Sequence, residues 1–310
     1  EICACLVGSE MCIRDSYIKG VLWAFEKKEM VLPFGMDLLL LGDLPSGAGL
    51  SSSASLEVLI GFIMRDLYGF DVTNVDLALI GQQAEHEFCG VNCGIMDQFA
   101  VAMGKKDHAL LLNTKTLDYE YIPITLCGVK LIIANSNKKH KLGESKYNER
   151  REECETALEE ISQAIGIHAL CDLDEKTWNL YQVMVKDDDR KRRVKHAVTE
   201  NARTKQAAAA LKNGELKTFG ELMKASHQSL SEDYEVTGDE MDALAEAAWQ
   251  QDGVLGSRMT GGGFGGSTIS LVKENFVDEF IQETGRIYTE KTGLSADFYV
   301  VEIGDGPVVQ

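Results

Sequence analysis

The stretch "GAGLSSSASLEV", Gly47 to Val58, constrains this chain more than any other. Gly47, Ala48 and Gly49 leave the backbone nearly bare. Ser51, Ser52 and Ser53 add a row of hydroxyls, and the sequence then runs into apolar residues at helical spacing. Glycines allow close approach of a ligand to the backbone, and a helix start offers unpaired N–H groups at the positive end of its dipole. Together these make an anion site, with a serine hydroxyl available as a neutral oxygen ligand for Mg²⁺. The bland alternative is an ordinary turn whose serines cap the helix.

The surrounding pattern is helix and strand without strict alternation, an α+β arrangement rather than one doubly wound sheet. The unbroken run Met36–Leu41 predicts a strand buried on both faces. A helix is predicted over Ser52–Tyr68, with Leu56, Leu59, Ile60 and Ile63 inward and Gly69 as its stop. The next runs from Val75 to Phe88, capped by Asn74, with Leu77, Ile80, Ala84 and Phe88 inward. A third covers Ile95–Met103. Strands are expected at "HALLLN", "YEYIPI", "VKLIIANS", "STISLV" and "DFYVVEIG".

Tyr147, Arg151, Cys154, Leu158, Ile161 and Ile165 form the inner stripe of a long amphipathic helix. Further helices fit residues 191–213, 215–230, 238–250 and 276–291. The expected division is 17–127 and 128–310, with the change near Cys127–Gly128. The opening "EICACLVGSEMCIRDS" has no strand or helix period and resembles translated adaptor read-through, so residues 1–16 are set aside as a non-native leader.

Composition narrows the function. A chain of 310 residues with 45% hydrophobic and 26% charged residues is ordinary globular protein. A net charge of -18 repels polyanions, so nucleic acid is not an expected partner. No apolar run is long enough to cross a bilayer, and no membrane association is expected. The 8 cysteines show no paired metal spacing and are expected as free thiols, as in a reducing cytoplasm.

The first glycine cluster lacks the Gly-Lys-Ser/Thr ending of a Walker loop. It could pass for a dinucleotide fingerprint, but the acid expected about 20 residues on would be Asp66, inside a helix rather than at a strand end. A second cluster, "TGGGFGG", precedes a strand instead of a helix. Its density of glycine means close backbone approach, either to a ligand or to a neighbouring loop. Between the two, Asp97 falls in the first turn of a predicted helix, where an ionised carboxylate is favoured with or without chemistry. Glu85 lies near an apolar stripe and faces either a cleft or water. Tyr147 is either core or contact, and there is no G-x-S-x-G elbow.

Taken in order, "PSGAGLSSSASLEV", "CGIMDQF", "SKYNERREECE" and "TGGGFGG" resemble the galactokinase branch of the GHMP small-molecule kinases, over about residues 17–305. The resemblance implies a two-domain GHMP-kinase-like fold, with an N-terminal ATP-binding domain and a C-terminal domain. It implies that Gly47, Ala48, Gly49, Leu50, Ser51, Ser52 and Ser53 cradle the phosphates of ATP, and that Ser53 and Glu85 hold Mg²⁺. Asp97 would be the catalytic carboxylate at the anomeric hydroxyl of galactose, with Gly94 and Tyr147 also contacting the sugar. Gly261, Gly262, Gly263, Gly265 and Gly266 would shape the site from the second domain.

A cytoplasmic monomer acting on ATP and galactose is expected. The family's first motif, a "GRVNLIGEHTDY"-like segment with sugar-binding side chains, has no counterpart in this sequence. The first strands of the N-terminal domain are therefore expected to be missing, and the chain to be a nearly inactive fragment. Alternatives within the resemblance are a kinase for another substrate, such as N-acetylgalactosamine or homoserine, and a galactose- and ATP-sensing regulator without transfer activity. The intact Ser53-Ala54-Ser55 favours catalysis over sensing.

Overall fold

A computed structural model describes residues 9–42, 44, 49–138 and 143–309. The chain divides into two compact units. Residues 1–46, 51–122 and 303–310 form the first, and residues 47–50 and 123–302 the second.

The first unit is built from α1 (Ser9–Lys27), α2 (Ser52–Tyr68), α3 (Asn74–Gln83), α4 (Met96–Ala102) and two short strands, β1 (His108–Leu112) and β2 (Tyr119–Pro123), which pair with each other. Val21, Ala24 and Phe25 of α1 pack on Ile60 and Met64 of α2 and on Leu77 and Ile80 of α3. Val58, Ala78, Ile95, Phe99 and Ala102 form a second cluster that brings α4 against α2 and α3. α1 begins at Ser9 and continues through Tyr17 without interruption, so residues 9–16, set aside in the sequence reading, are helical.

Several expectations need correction in this unit. Residues 36–41 form no strand; Leu39 and Leu41 are 85% and 87% exposed. An apolar run makes a strand only where a partner completes its ladder, and among the described residues none pairs with it. On α2 the buried residues are Ala54, Glu57, Val58, Ile60, Gly61 and Met64, whereas Leu59 is exposed and Leu56 only half-buried. The inward face is thus rotated from the predicted stripe and includes a carboxylate. The cap of α3 is Thr73: its hydroxyl accepts from Asp76 N–H and the Asp76 carboxylate accepts from Thr73 N–H, a reciprocal box. Donation from the Thr73 hydroxyl, at 2.6 Å, and from the Thr73 N–H holds the Asp76 carboxyl below its usual range. Asn74 instead accepts from Arg65 and donates to the Ala102 carbonyl. Phe88 is exposed, because the chain leaves α3 through a widened turn over Ala84–Phe88.

In the second unit an antiparallel sheet runs in the order β4 (Val254–Thr260), β5 (Ser267–Lys273), β3 (Val129–Asn135), β6 (Asp297–Val301). Side chains alternate across the sheet, as the period of two demands. Ile132 and Ala134 of β3 face α9 (Asp239–Trp249) and α10 (Val277–Thr292), meeting Ala248, Phe280, Leu244 and Tyr288. Val129 and Leu131 face α8 (Leu216–Glu232), meeting Met223 and Phe219. α5 (Gly143–Ser162), α6 (Glu175–Tyr181) and α7 (Asp188–Lys212) enclose a separate core of Ala157, Ile161, Trp178, Val194 and Val198. The arginine of α5 that turns inward is Arg150, not Arg151, and Ile165 lies beyond the helix end.

β4 has no strand signature in the sequence because its glycine answers a packing need: a Cβ on Gly256 would lie 2.2 Å from the Gly220 carbonyl oxygen of α8. Among the described residues, Cys89, Cys93, Cys127, Cys154 and Cys171 are free, and no helix is long and apolar enough to cross a membrane.

The approach of α8 to β4 yields a stability prediction. A Cβ on Gly220 would stand 2.1 Å from the Leu255 carbonyl oxygen, which belongs to backbone and cannot swing away. Gly220→Ala is expected to cost about 3 kcal/mol, the upper range for over-packing, read as a lowered midpoint in thermal or urea unfolding. An unchanged midpoint would show that the two backbones are not in contact.

Candidate active site

In the first unit the serine row opens α2. Ser51 occupies the cap position in a left-handed conformation, φ +55°, and its side chain makes no cap hydrogen bond. Its carbonyl accepts from Ser55 N–H at 2.9 Å, so the helix is properly started while the usual side-chain cap is missing. A non-glycine residue held at positive φ is strained, and such strain persists where surroundings impose it, often at ligand sites. The reading of the serines as simple caps is not what the geometry gives at Ser51. Ser53 is half-buried in the first helical turn, one turn before Glu57 and on the same face.

Glu57 is the residue that sequence reasoning missed. It is 1% exposed. Gln98 Nε2 donates to its Oε2 at 3.1 Å, and Gly81 leaves room for the pair: a Cβ there would lie 3.3 Å from Glu57 Oε2 and 3.1 Å from Gln98 Cγ. Burial first, then the neighbouring charge of Glu85 and more weakly that of Asp97, push the Glu57 carboxyl up to about 8. Glu57 Oε1 and Gln98 Oε1 are buried with no hydrogen-bond partner.

Glu85 is itself buried, in the widened turn where Cys89 N–H bonds back five residues to the Ala84 carbonyl. π-type turns of this kind mark functional positions in many helices. Asp97, next to Gln98, is half-buried in the first turn of α4. His86 and Gln82 both bond the Cys93 carbonyl, at 2.6 and 3.3 Å, and so fix the turn that leads through Gly94 into α4. A side chain at Gly94 would meet nothing within 4 Å, so its backbone faces open space. Burial and the charge of Glu85 raise both nearby thiols, Cys89 to about 11 and Cys93 further, which keeps them protonated and unreactive.

The Glu57–Gln98 bond therefore joins α2, which carries Ser53, to α4, which carries Asp97, and Glu85 lies near enough to Glu57 for its charge to act there. Hydroxyl and carboxylate are hard oxygen donors suited to Mg²⁺. Among the described residues no group of three or more His, Cys, Asp or Glu is placed to hold a metal ion.

The second unit carries the remaining predicted residues. Gly47 and Ala48 lie outside the described residues; Gly49 is described, at φ +67°. The loop Gly261–Gly266 closes the β4–β5 hairpin, where Thr260 pairs with Ser267. A Cβ on Gly261 would come within 2.9 Å of the Gly49 carbonyl oxygen, and one on Gly49 would meet Gly266 Cα at 3.4 Å. A Cβ on Gly263 would collide with the Val236 carbonyl at 2.2 Å. Gly261 and Gly263 are thus required by loop-on-loop packing, one of the two readings of the cluster. Tyr147, half-buried on α5, lies beside this loop, its ring carbon 3.8 Å from where a Gly262 Cβ would stand.

The raised Glu57 carboxyl sets a pH dependence. Below about pH 4.5 it is neutral folded or unfolded, and its burial costs no charge. Between 4.5 and about 8 the unfolded chain releases a proton that the native state keeps, so stability falls as pH rises through this window. Glu57→Gln, neutral throughout, is expected to melt like the parent at pH 4.5 and above it at pH 8. Equal melting temperatures at pH 8 would contradict the buried neutral carboxyl.

Comparison with known proteins places the chain in a family. Residues 16–105 match the GHMP kinases N terminal domain, and residues 207–286 the GHMP kinases C terminal family. The chain is 50% identical over 291 residues to the galactokinase of Bacillus subtilis (strain 168), covering 94% of this chain and 75% of that protein. It is 49% identical over 294 residues to the galactokinase of Ligilactobacillus salivarius (strain UCC118), covering 95% and 76%. The crystal structure of Lactococcus lactis galactokinase complexed with galactose superposes with a TM-score of 0.92 at 43% identity, over 94% of this chain and 75% of that one. With both halves matched and identity of this order spread over nearly its whole length, the chain belongs to the galactokinase family of the GHMP kinases.

Proposed function

We propose that this chain transfers the γ-phosphoryl group of ATP to the anomeric hydroxyl of α-D-galactose, giving ADP and galactose 1-phosphate. The observation that supports the reading is the buried Glu57–Gln98 bond, which joins the helix of Ser53 to that of Asp97 with the charge of Glu85 close by, at a helix start its own serine does not cap. Phosphoryl transfer needs positioning and charge neutralisation more than covalent chemistry. The segment Gly47–Ser53 would bind the phosphates through backbone N–H groups. Ser53 and Glu85 would hold Mg²⁺, which neutralises phosphate charge when bound.

Asp97 would accept the proton of the anomeric hydroxyl as that oxygen bonds to phosphorus and the bond to the ADP oxygen breaks. Gly94 and Tyr147 would contact the sugar, and the Gly261–Gly266 loop would border the phosphate segment. All named residues come from one chain, so a monomer suffices. ATP as co-substrate fits a cytoplasmic enzyme, and the reaction calls for neither nucleic acid nor membrane.

The test is a coupled ADP-release assay, with phosphorus NMR of the product and a sugar panel that includes N-acetylgalactosamine. Asp97→Asn is expected to lower turnover of galactose on the order of 10²–10⁴-fold, the usual worth of a positioned base, with ATP affinity little changed. Read as a ratio against the parent chain, this loss does not depend on the absolute rate. Binding of both ligands with no phosphorylated sugar would overturn the transferase reading and leave a sensor; preference for the acetylated sugar would overturn the substrate.

A further inference from the structure

Glu235 adopts a left-handed backbone, φ +55°, in the turn that follows α8. That conformation costs a residue with a side chain and persists only where its neighbours over-determine it. The neighbours are ionic. Arg193, 1% exposed on α7, spends its nitrogens on three acceptors: Nη2 donates to Glu235 Oε2, Nη1 to the Asp233 carbonyl and Nε to Glu153 Oε2 of α5, each at 2.7 Å. Arg192 Nη2 reaches the other Glu235 oxygen at 3.1 Å. Arg150 of α5 donates Nε to the Tyr234 carbonyl at 2.9 Å and pairs with Glu153. Three consecutive residues, Asp233 to Glu235, are therefore gripped by two helices. The same guanidiniums hold the Glu235 carboxyl below its ordinary range, led by the Arg193 bond.

The next residue explains what the grip serves. The Val236 carbonyl accepts from Phe264 N–H at 2.7 Å and is the group that leaves no room for a side chain on Gly263. Phe264, like Glu235, is at positive φ. The far side of the same loop, Gly261 and Gly266, bears on Gly49. Stability alone is a poor reason for such a network, since Glu235 is 40% exposed and ion pairs open to water contribute little. Fixing one backbone carbonyl against one loop is a better one. It also absorbs Arg150 and Glu153 of the "SKYNERREECE" segment, which the kinase reading leaves without a part.

We propose that Glu235 is a positioning residue, clasped by Arg193 and Arg192 so that the Val236 carbonyl seats Phe264 and fixes the Gly261–Gly266 loop against Gly49. The last step, from Gly49 to bound phosphate, rests on the function proposed above; the earlier steps do not. The test uses the full chain with Glu235→Gly, Glu235→Ala and Glu235→Gln, read by hydrogen exchange of peptides over 260–268 and 295–302, by melting temperature, and by calorimetric titration with ATP and Mg²⁺.

Glycine relieves the backbone strain but removes the carboxylate. Glu235→Gly is therefore expected to melt above Glu235→Ala while the 260–268 peptide exchanges about tenfold faster than in the parent and 295–302 is unchanged. Glu235→Ala should loosen the loop similarly with a lower melting point, and Glu235→Gln, whose amide oxygen still accepts from Arg193, should restore part of the protection. ATP affinity should fall in step with loop exchange. Loop protection equal to the parent in the Gly and Ala variants overturns the proposal, as does faster exchange shared equally by both peptides. A parent chain that binds no ATP would remove the kinase reading and leave the exchange result standing.

Discussion

The carbonyl oxygen of Gly49 and the backbone of Gly261 stand so close that a single methyl group between them would have to displace one. A contact between two backbones cannot be tuned by rotamers; it holds at one distance or not at all. Each strand of the hairpin that presents Gly261 is committed in turn. β4 is laid against α8 at Gly220 and Gly256, and β5 is paired residue for residue with the central strand β3. The Val236 carbonyl closes the loop from the other side. The placement of Gly49 is therefore inherited from a sheet buried on both faces, which is as rigid a foundation as a chain of this kind offers.

Much of this was legible in the sequence, for a physical reason. Close backbone approach and left-handed turns demand glycine, so both glycine clusters announced themselves, as did the stops at Gly69 and Gly293. Helical and strand periods found most elements because burial repeats with the geometry of the backbone. The failures lie where tertiary partners decide. "MDLLLL" reads as a buried strand, but a ladder needs a neighbour that local sequence cannot supply. Glu57 reads as the polar side of α2 because its burial is offset by Gln98, 41 positions along the chain. Arg151 took the stripe position that belongs to Arg150 because the acceptor that draws Arg150 inward, the Tyr234 carbonyl, belongs to another helix end. β4 was hidden by Gly256, present for α8 and not for the strand.

At the site the same distinction separates residue types from their states. The sequence gives carboxylates at Glu57, Glu85 and Asp97; only the fold shows that three acids near one another in a mostly buried setting cannot all be ionised cheaply. The least solvated of them, Glu57, keeps its proton. Glu85 and Asp97 then face one fewer like charge, and the pair Glu57–Gln98 serves as a neutral spacer between the helices that carry Ser53 and Asp97.

Electrostatics on a larger scale runs against the proposed substrate. The chain carries a net charge of -18 and would repel a nucleotide polyphosphate at a distance. At physiological ionic strength that repulsion is screened beyond about 8 Å, so binding is decided by what the phosphates meet inside that range. There, on the proposed reading, the α2 start would offer N–H groups that Ser51 does not cap, and a cation at Ser53 and Glu85 would cancel charge on both sides at once. Without the cation, Glu85 would stand against the phosphates as a like charge. On the proposed reading such a chain would bind the metal-loaded nucleotide in preference to the free anion, and its acidity would become a means of selecting between them.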